Sequence, residues 1–177
     1  MDKRRWVIPI VASATLALGF ALHYLRDAQR STGEYGTEPL APALAGEKQR
    51  LLHQRFQQAV ALLQRGEYDY AVQGFHSVLE VAPDLPEAHV NMGFAFLGLG
   101  EYEVARSFFD SASNLRPTLS NAYYGLAVAW EGLGDLGQAA AAMKAFVHIA
   151  DENDAHLRRA QAAIWEWEAA MAVRENE

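Results

Sequence analysis

Hydrophobic and polar positions divide the chain into three stretches. The first runs from Trp6 to Leu25 as WVIPIVASATLALGFALHYL, twenty residues without Asp, Glu, Lys or Arg. It is apolar on every side, and about twenty helical residues span a hydrocarbon core of roughly 30 Å. The pattern predicts a transmembrane helix over 6–25, with Trp6 and Tyr24 at its two headgroup levels. Residues 26–46 follow as RDAQRSTGEYGTEPLAPALAG, with three glycines, two prolines and no periodicity. That composition predicts a linker. From residue 47 onward apolar residues recur at three- and four-residue spacing, so the third stretch predicts helices throughout. In its last helix, about Asp154 to Val173, Leu157, Ala160, Ile164, Trp167 and Met171 line one face. Trp165 lies off that stripe and reads either as edge packing or as part of a contact surface.

The helical stretch repeats itself every 34 residues. Gly66 recurs as Gly100 and Gly134, Glu67 as Glu101 and Asp135, and Tyr68 as Tyr102 and then Leu136. Ala71 recurs as Ala105 and Ala139, Phe75 as Phe109 and Met143, and Pro83 as Pro117, with Asp151 breaking the series. A shared period across several residue types is the signature of a repeat architecture. Each position has a physical reason. Glycine closes the first helix in a left-handed turn, an acidic residue suits the start of the next, and proline stops the second.

These residues and this period resemble the tetratricopeptide repeat (TPR) family, whose unit is a 34-residue helical hairpin. The resemblance covers residues 47–153 as three units, about 52–85, 86–119 and 120–153. Residues 154–177 follow as a capping helix and tail. The implied fold is all-α: a transmembrane helix, a linker, then an α-solenoid of three hairpins closed by a C-terminal helix. The resemblance also places His89, Met92, Gly93 and Phe96 at the packing positions of the second unit. Tyr123, Leu126, Ala127 and Trp130 take them in the third. In the first unit Arg55, Gln58 and Ala59 stand where apolar residues are usual, which suits an end repeat with one solvated face.

Charge adds a direction. The formal net charge is −7, from 15 Lys and Arg against 22 Asp and Glu. Residues 1–30 hold five basic and two acidic residues, a balance of +3, which leaves ten basic and twenty acidic residues, −10, in the rest. An acidic body has no electrostatic reason to hold a phosphate backbone, so nucleic-acid binding is not expected. Lys3, Arg4 and Arg5 precede the apolar run, which predicts residues 1–5 in the cytoplasm and the body across the membrane. The expected location is a single-pass inner-membrane protein with a periplasmic repeat domain, assuming a bacterial cell. A cleaved signal peptide fits less well: its apolar core is shorter, and the best small-x-small site, Ala43-Leu44-Ala45, lies about twenty residues past the run. Ser13, Ala17 and Ala21 form a small-residue stripe that could pack on another transmembrane helix.

The candidate chemistry is sparse. With no cysteine, thiolate metal sites, disulfides and cysteine nucleophiles are excluded. Gly132, Gly134 and Gly137 spell G-x-G-x-x-G, but between two helices and without the strand a dinucleotide site needs. No two of the six histidines share metal-ligand spacing on one helix face. Glu166 and Glu168 are two apart on a helix and so face different ways. No Ser sits in a nucleophile elbow. The reading is therefore not an enzyme, with no cofactor and no metal.

The resemblance implies a partner-binding groove on the inner face formed by the first helix of each unit. Register carries that groove onto Phe56, Val60 and Leu63, then Val90, Phe94 and Leu97, then Tyr124, Val128 and Glu131. In the second unit the packing positions are already filled, so Val90, Phe94 and Leu97 read as surplus apolar surface, which marks interaction sites. The competing reading is that the set packs between neighbouring first helices or against the last helix. TPR domains that clamp a C-terminal carboxylate use Lys, Arg and Asn in this groove. Asn91 alone matches here, so an apolar segment or amphipathic helix of a protein partner is expected instead. The expected role is a membrane-anchored adaptor that helps assemble an envelope complex. The alternative is an accessory subunit held by its transmembrane helix, with the repeats as a spacer or lid.

Overall fold

The computed structural model describes residues 46–174, and within them the chain is all-α. Seven helices follow in order: α1 (Glu47–Gln64), α2 (Tyr68–Leu79), α3 (Pro86–Leu99), α4 (Tyr102–Leu115), α5 (Ser120–Gly132), α6 (Leu136–Ile149) and α7 (Leu157–Arg174). They form three antiparallel hairpins, α1/α2, α3/α4 and α5/α6, with α7 packed on α6. The first helices α1, α3 and α5 also touch in sequence, so they build one layer and α2, α4 and α6 build the other. The predicted transmembrane helix, the linker up to residue 45, the packing stripe Ser13, Ala17 and Ala21, and the predicted topology lie outside the described residues. Among the described residues no helix is long and apolar enough to cross a membrane.

The turns inside the hairpins are alike. Gly66, Gly100 and Gly134 adopt φ of 75°, 77° and 82°, a region open cheaply only to glycine. After each, the next amide reaches back five residues. Glu67 N–H donates to Leu62 O at 3.0 Å, Glu101 to Phe96 at 2.9 Å and Asp135 to Trp130 at 3.0 Å. This is the Schellman closure, which satisfies carbonyls the helix end would leave orphaned. The acidic residue then stands at the N-cap of the second helix. Only Asp135 also caps with its side chain, accepting from Gln138 N–H at 3.0 Å.

Small residues set how closely the helices approach. Ala71, Ala105 and Ala139 are fully buried between helices. Phe109 seats its ring between α3 and α5: a Cβ on Gly93 would lie 2.7 Å from its Cζ, and one on Gly125 nearer still. A second joint recurs with the repeat. Tyr68 lies flat against Gly98, and 34 residues later Tyr102 lies against Gly132, each leaving no room for a Cβ. Arg106 ties α4 to α5, bonding Glu103 and Asp110 at 3.1 and 3.3 Å while its guanidinium sits 4.9 Å from the Trp130 ring centroid.

At the open end α7 presents the expected stripe to the stack: Ala160 and Trp167 are buried, and Leu157 and Ile164 pack against the core. Trp165 is 78% exposed, so its edge-packing reading is corrected. The helix turns it outward because it stands two positions from Trp167.

Candidate functional site

The nine groove positions all fall on α1, α3 and α5, the inner layer. Val90, Phe94 and Leu97 follow one another at four and three residues along α3, which sets them in one stripe. Among the described residues the inner layer is backed by α2, α4 and α6, and α7 reaches its last position through Trp167 and Glu131.

The expectation that Val90, Phe94 and Leu97 stand as exposed surface is corrected. They are 5%, 3% and 4% exposed, and Leu63, Tyr124 and Val128 are equally buried. Phe56, Val60 and Glu131 are partly buried. Aromatic edges account for part of this. Phe56 meets Phe75 at 5.7 Å, Phe94 meets Phe109 at 5.1 Å and Tyr124 meets Phe146 at 5.3 Å, all T-shaped. Such edge-to-face pairs stabilise beyond their buried area.

Polar groups occupy the rims of this layer. Glu87, at the start of α3, pairs with Arg116 from the end of α4. Asn91, the one match to a carboxylate clamp, instead donates Nδ2–H to Glu87 O at 2.7 Å. Its amide thus continues its own helix rather than pointing free.

No protein-family model matches the sequence, and no curated protein matches it. Solved structures do. The first TPR of Spaghetti (RPAP3), bound to the HSP90 peptide SRMEEVD, is 20% identical with a TM-score of 0.64, covering 70% of this chain and 94% of that one. PcrH in complex with the chaperone binding region of PopD is 21% identical with a TM-score of 0.66, covering 72% and 98%. The Sgt2 TPR domain from Aspergillus fumigatus is 18% identical with a TM-score of 0.66, covering 72% and 83%. The chain has a TPR-like fold.

Within that TPR-like solenoid, the end of the inner layer holds a polar cluster that the sequence pattern does not reveal. Trp167 Nε1–H donates to Glu131 Oε1 at 3.1 Å, which brings α7 over the last groove position. Burial pushes the Glu131 carboxyl up from its ordinary range; the Trp167 hydrogen bond opposes this, and nearby Glu166 adds to it. Tyr124 lies beside His156 at 5.9 Å, and burial raises its phenol well above the ordinary tyrosine range. The Arg116–Glu87 pair was likewise missed, since its partners are 29 residues apart. The Tyr68–Gly98 and Tyr102–Gly132 joints did leave a signal, because Gly98 and Gly132 obey the same 34-residue period as the tyrosines.

Gly132, Gly134 and Gly137 surround the α5–α6 turn, with no strand before them. His89 is taken up by packing, with Nε2 2.7 Å from Pro83 O and its ring 5.9 Å from Phe108. Among the described residues no three His, Asp or Glu side chains are placed to hold a metal ion.

Proposed function

We propose that this chain is a protein-binding adaptor whose inner layer receives an apolar segment or amphipathic helix of a partner. The observation that carries the reading is the makeup of that layer. Phe56, Val60, Leu63, Val90, Phe94, Leu97, Tyr124 and Val128 place apolar or aromatic side chains at matching positions of three successive first helices. Two of the similar structures hold peptide segments, the HSP90 peptide in one and the chaperone binding region of PopD in the other. An apolar inner face suits the helix-in-groove mode of recognition, in which buried anchors supply the affinity. Anchored by residues 6–25 with its body in the periplasm, such an adaptor would help assemble an envelope complex.

The test is affinity purification of the full-length protein in mild detergent. Val60→Glu places a charge at a partly buried inner position, and Phe94→Glu places one at the centre. Both should lose the co-purifying partner, with helical content checked by circular dichroism. A folded Val60→Glu that still recovers the partner in full overturns the reading. A second reading rests on the Ser13, Ala17 and Ala21 stripe. If the anchor makes the contact and the repeats are a spacer, Leu at those three positions releases the partner and the groove variants do not.

A further inference from the structure

The last helix has an open side. α7 packs on α6 and reaches α5 through Trp167, and among the described residues no other helix packs on it. Ala160 and Trp167 are buried on its inward side. On the opposite side Arg158, Gln161, Trp165, Glu168 and Ala172 are all exposed, Trp165 by 78%. They follow one another at three, four, three and four residues, the spacing by which one helix meets another along a seam. The 34-residue register marks the same side. Ala59 and Gly93 are where the first two hairpins receive their second helix, Ala59 against Gly74 and Gly93 against Phe109. Ala127 and then Gln161 follow at that register. On α7 the position is exposed, so this side has the register of a helix seat and no described helix in it. Trp165 suits such a seat, because a large stiff ring gains much from burial and anchors protein contacts.

The charges along the seam select the occupant, because their order is its own complement. Arg158 stands near one end and Glu168 near the other. Arg158 makes no ion pair among the described residues. Glu168 meets Lys144 at 2.6 Å and still has 44% of its side chain exposed. A second α7 laid antiparallel, with a two-fold axis at the level of Ala163, sets Arg158 of each copy against Glu168 of the other. The same operation sets Trp165 of each copy over Gln161 of the other, where the small Ala162 beside it leaves room for the ring. A parallel pair would instead face Arg158 with Arg158 and Glu168 with Glu168, which is unfavourable. We propose that α7 is a self-association surface, on which two copies of this chain pair their α7 helices antiparallel through Trp165 and the Arg158–Glu168 pairs. The ion pairs are exposed and fix direction and register, and the tryptophans supply the affinity. Two helices of about 27 Å make a contact at or below the roughly 1,200 Å² where stable interfaces begin, so the pairing follows concentration. The contact is isologous, so one substitution acts at two places.

The chain has no cysteine, so a single engineered cysteine reports without background. Full-length protein in mild detergent, carrying Ala162→Cys or Ala172→Cys, is treated with a short bismaleimide linker. Ala162→Cys lies next to the two-fold axis and should link into dimers. Ala172→Cys should stay unlinked, because its two copies lie about 27 Å apart along an antiparallel seam. Linking at both positions alike means a parallel pair and overturns the proposal. Sedimentation velocity over a series of concentrations then measures the association of chains without cysteine. Trp165→Ser should raise the dimer dissociation constant by about tenfold or more, with the dichroism spectrum unchanged. Arg158→Glu should also weaken the dimer, and adding Glu168→Arg to it should restore pairing, which a merely unfolded helix would not do. A dimer that survives Trp165→Ser unchanged places the contact elsewhere, in the anchor or another face, and overturns the proposal. So does a chain that stays monomeric at every concentration.

Discussion

Trp167 and Glu131 meet across 36 residues, indole N–H to carboxylate, where α7 crosses the end of the inner layer. Burial is the largest influence on Glu131 and holds its proton on more tightly than in the unfolded chain. The folded state therefore binds more protons than the unfolded state through this group. Its contribution is intact below the ordinary glutamate range and is lost as pH rises through the raised folded value. Glu131→Gln keeps an acceptor for Trp167 and removes the ionisable group. Urea midpoints measured from pH 4 to pH 8 should coincide for the two proteins at the acid end. The variant should become the more stable as pH rises. A constant gap would mean that Glu131 is not strained by burial.

Phe109 leaves no space at Gly93 or Gly125. Alanine in a helix normally gains about 0.5–1 kcal/mol over glycine. Here the added methyl would lie within 3.0 Å of a ring held on both sides. Overpacking costs about 1–3 kcal/mol and should decide the sign. Gly125→Ala is expected to lower thermal stability, and Phe109→Leu in the same chain to recover part of the loss. Additive effects in that double-mutant cycle would deny the contact.

Gly100 differs, because nothing lies within 4 Å of the position a Cβ would take. Any loss on Gly100→Ala is then a backbone loss from the left-handed turn, about 1–2 kcal/mol. Gly100→Asn, which tolerates that region, should lose less. Equal losses in chemical denaturation would point to some other cause.

The two tryptophans of α7 should part company. Trp167 is buried and bonded, and its replacement by alanine should cost about 3–5 kcal/mol. Trp165 is mostly exposed, and Trp165→Ser should change stability by less than about 0.5 kcal/mol. Urea denaturation followed by far-ultraviolet dichroism reads both. A large loss from Trp165→Ser would mean that its ring packs in solution.

How legible this was in the sequence depends on whether a contact repeats. Gly66, Gly100 and Gly134 disclosed the hairpin turns, and Phe75 and Phe109 the core, because each copy confirms the others. The inner-face residues were located on their helices, yet Phe94 and Tyr124 turned out buried, since register gives the direction of a side chain and not what lies opposite it. The Glu131–Trp167 and Glu87–Arg116 pairs occur once each. Long side chains that bridge distant turns leave no period to read.

The tyrosine–glycine joint bears on how such a chain grows. Tyr68 against Gly98 joins the first unit to the second, and Tyr102 against Gly132 joins the second to the third. The middle unit thus carries both halves of the same coupling, an incoming glycine and an outgoing tyrosine. A tandem duplication of residues 86–119 would set Tyr102 of one copy against Gly98 of the next and lengthen the array without a new interface. The third unit offers Leu136 in place of the tyrosine. Elongation is therefore built into the middle of this solenoid and closed off at its end.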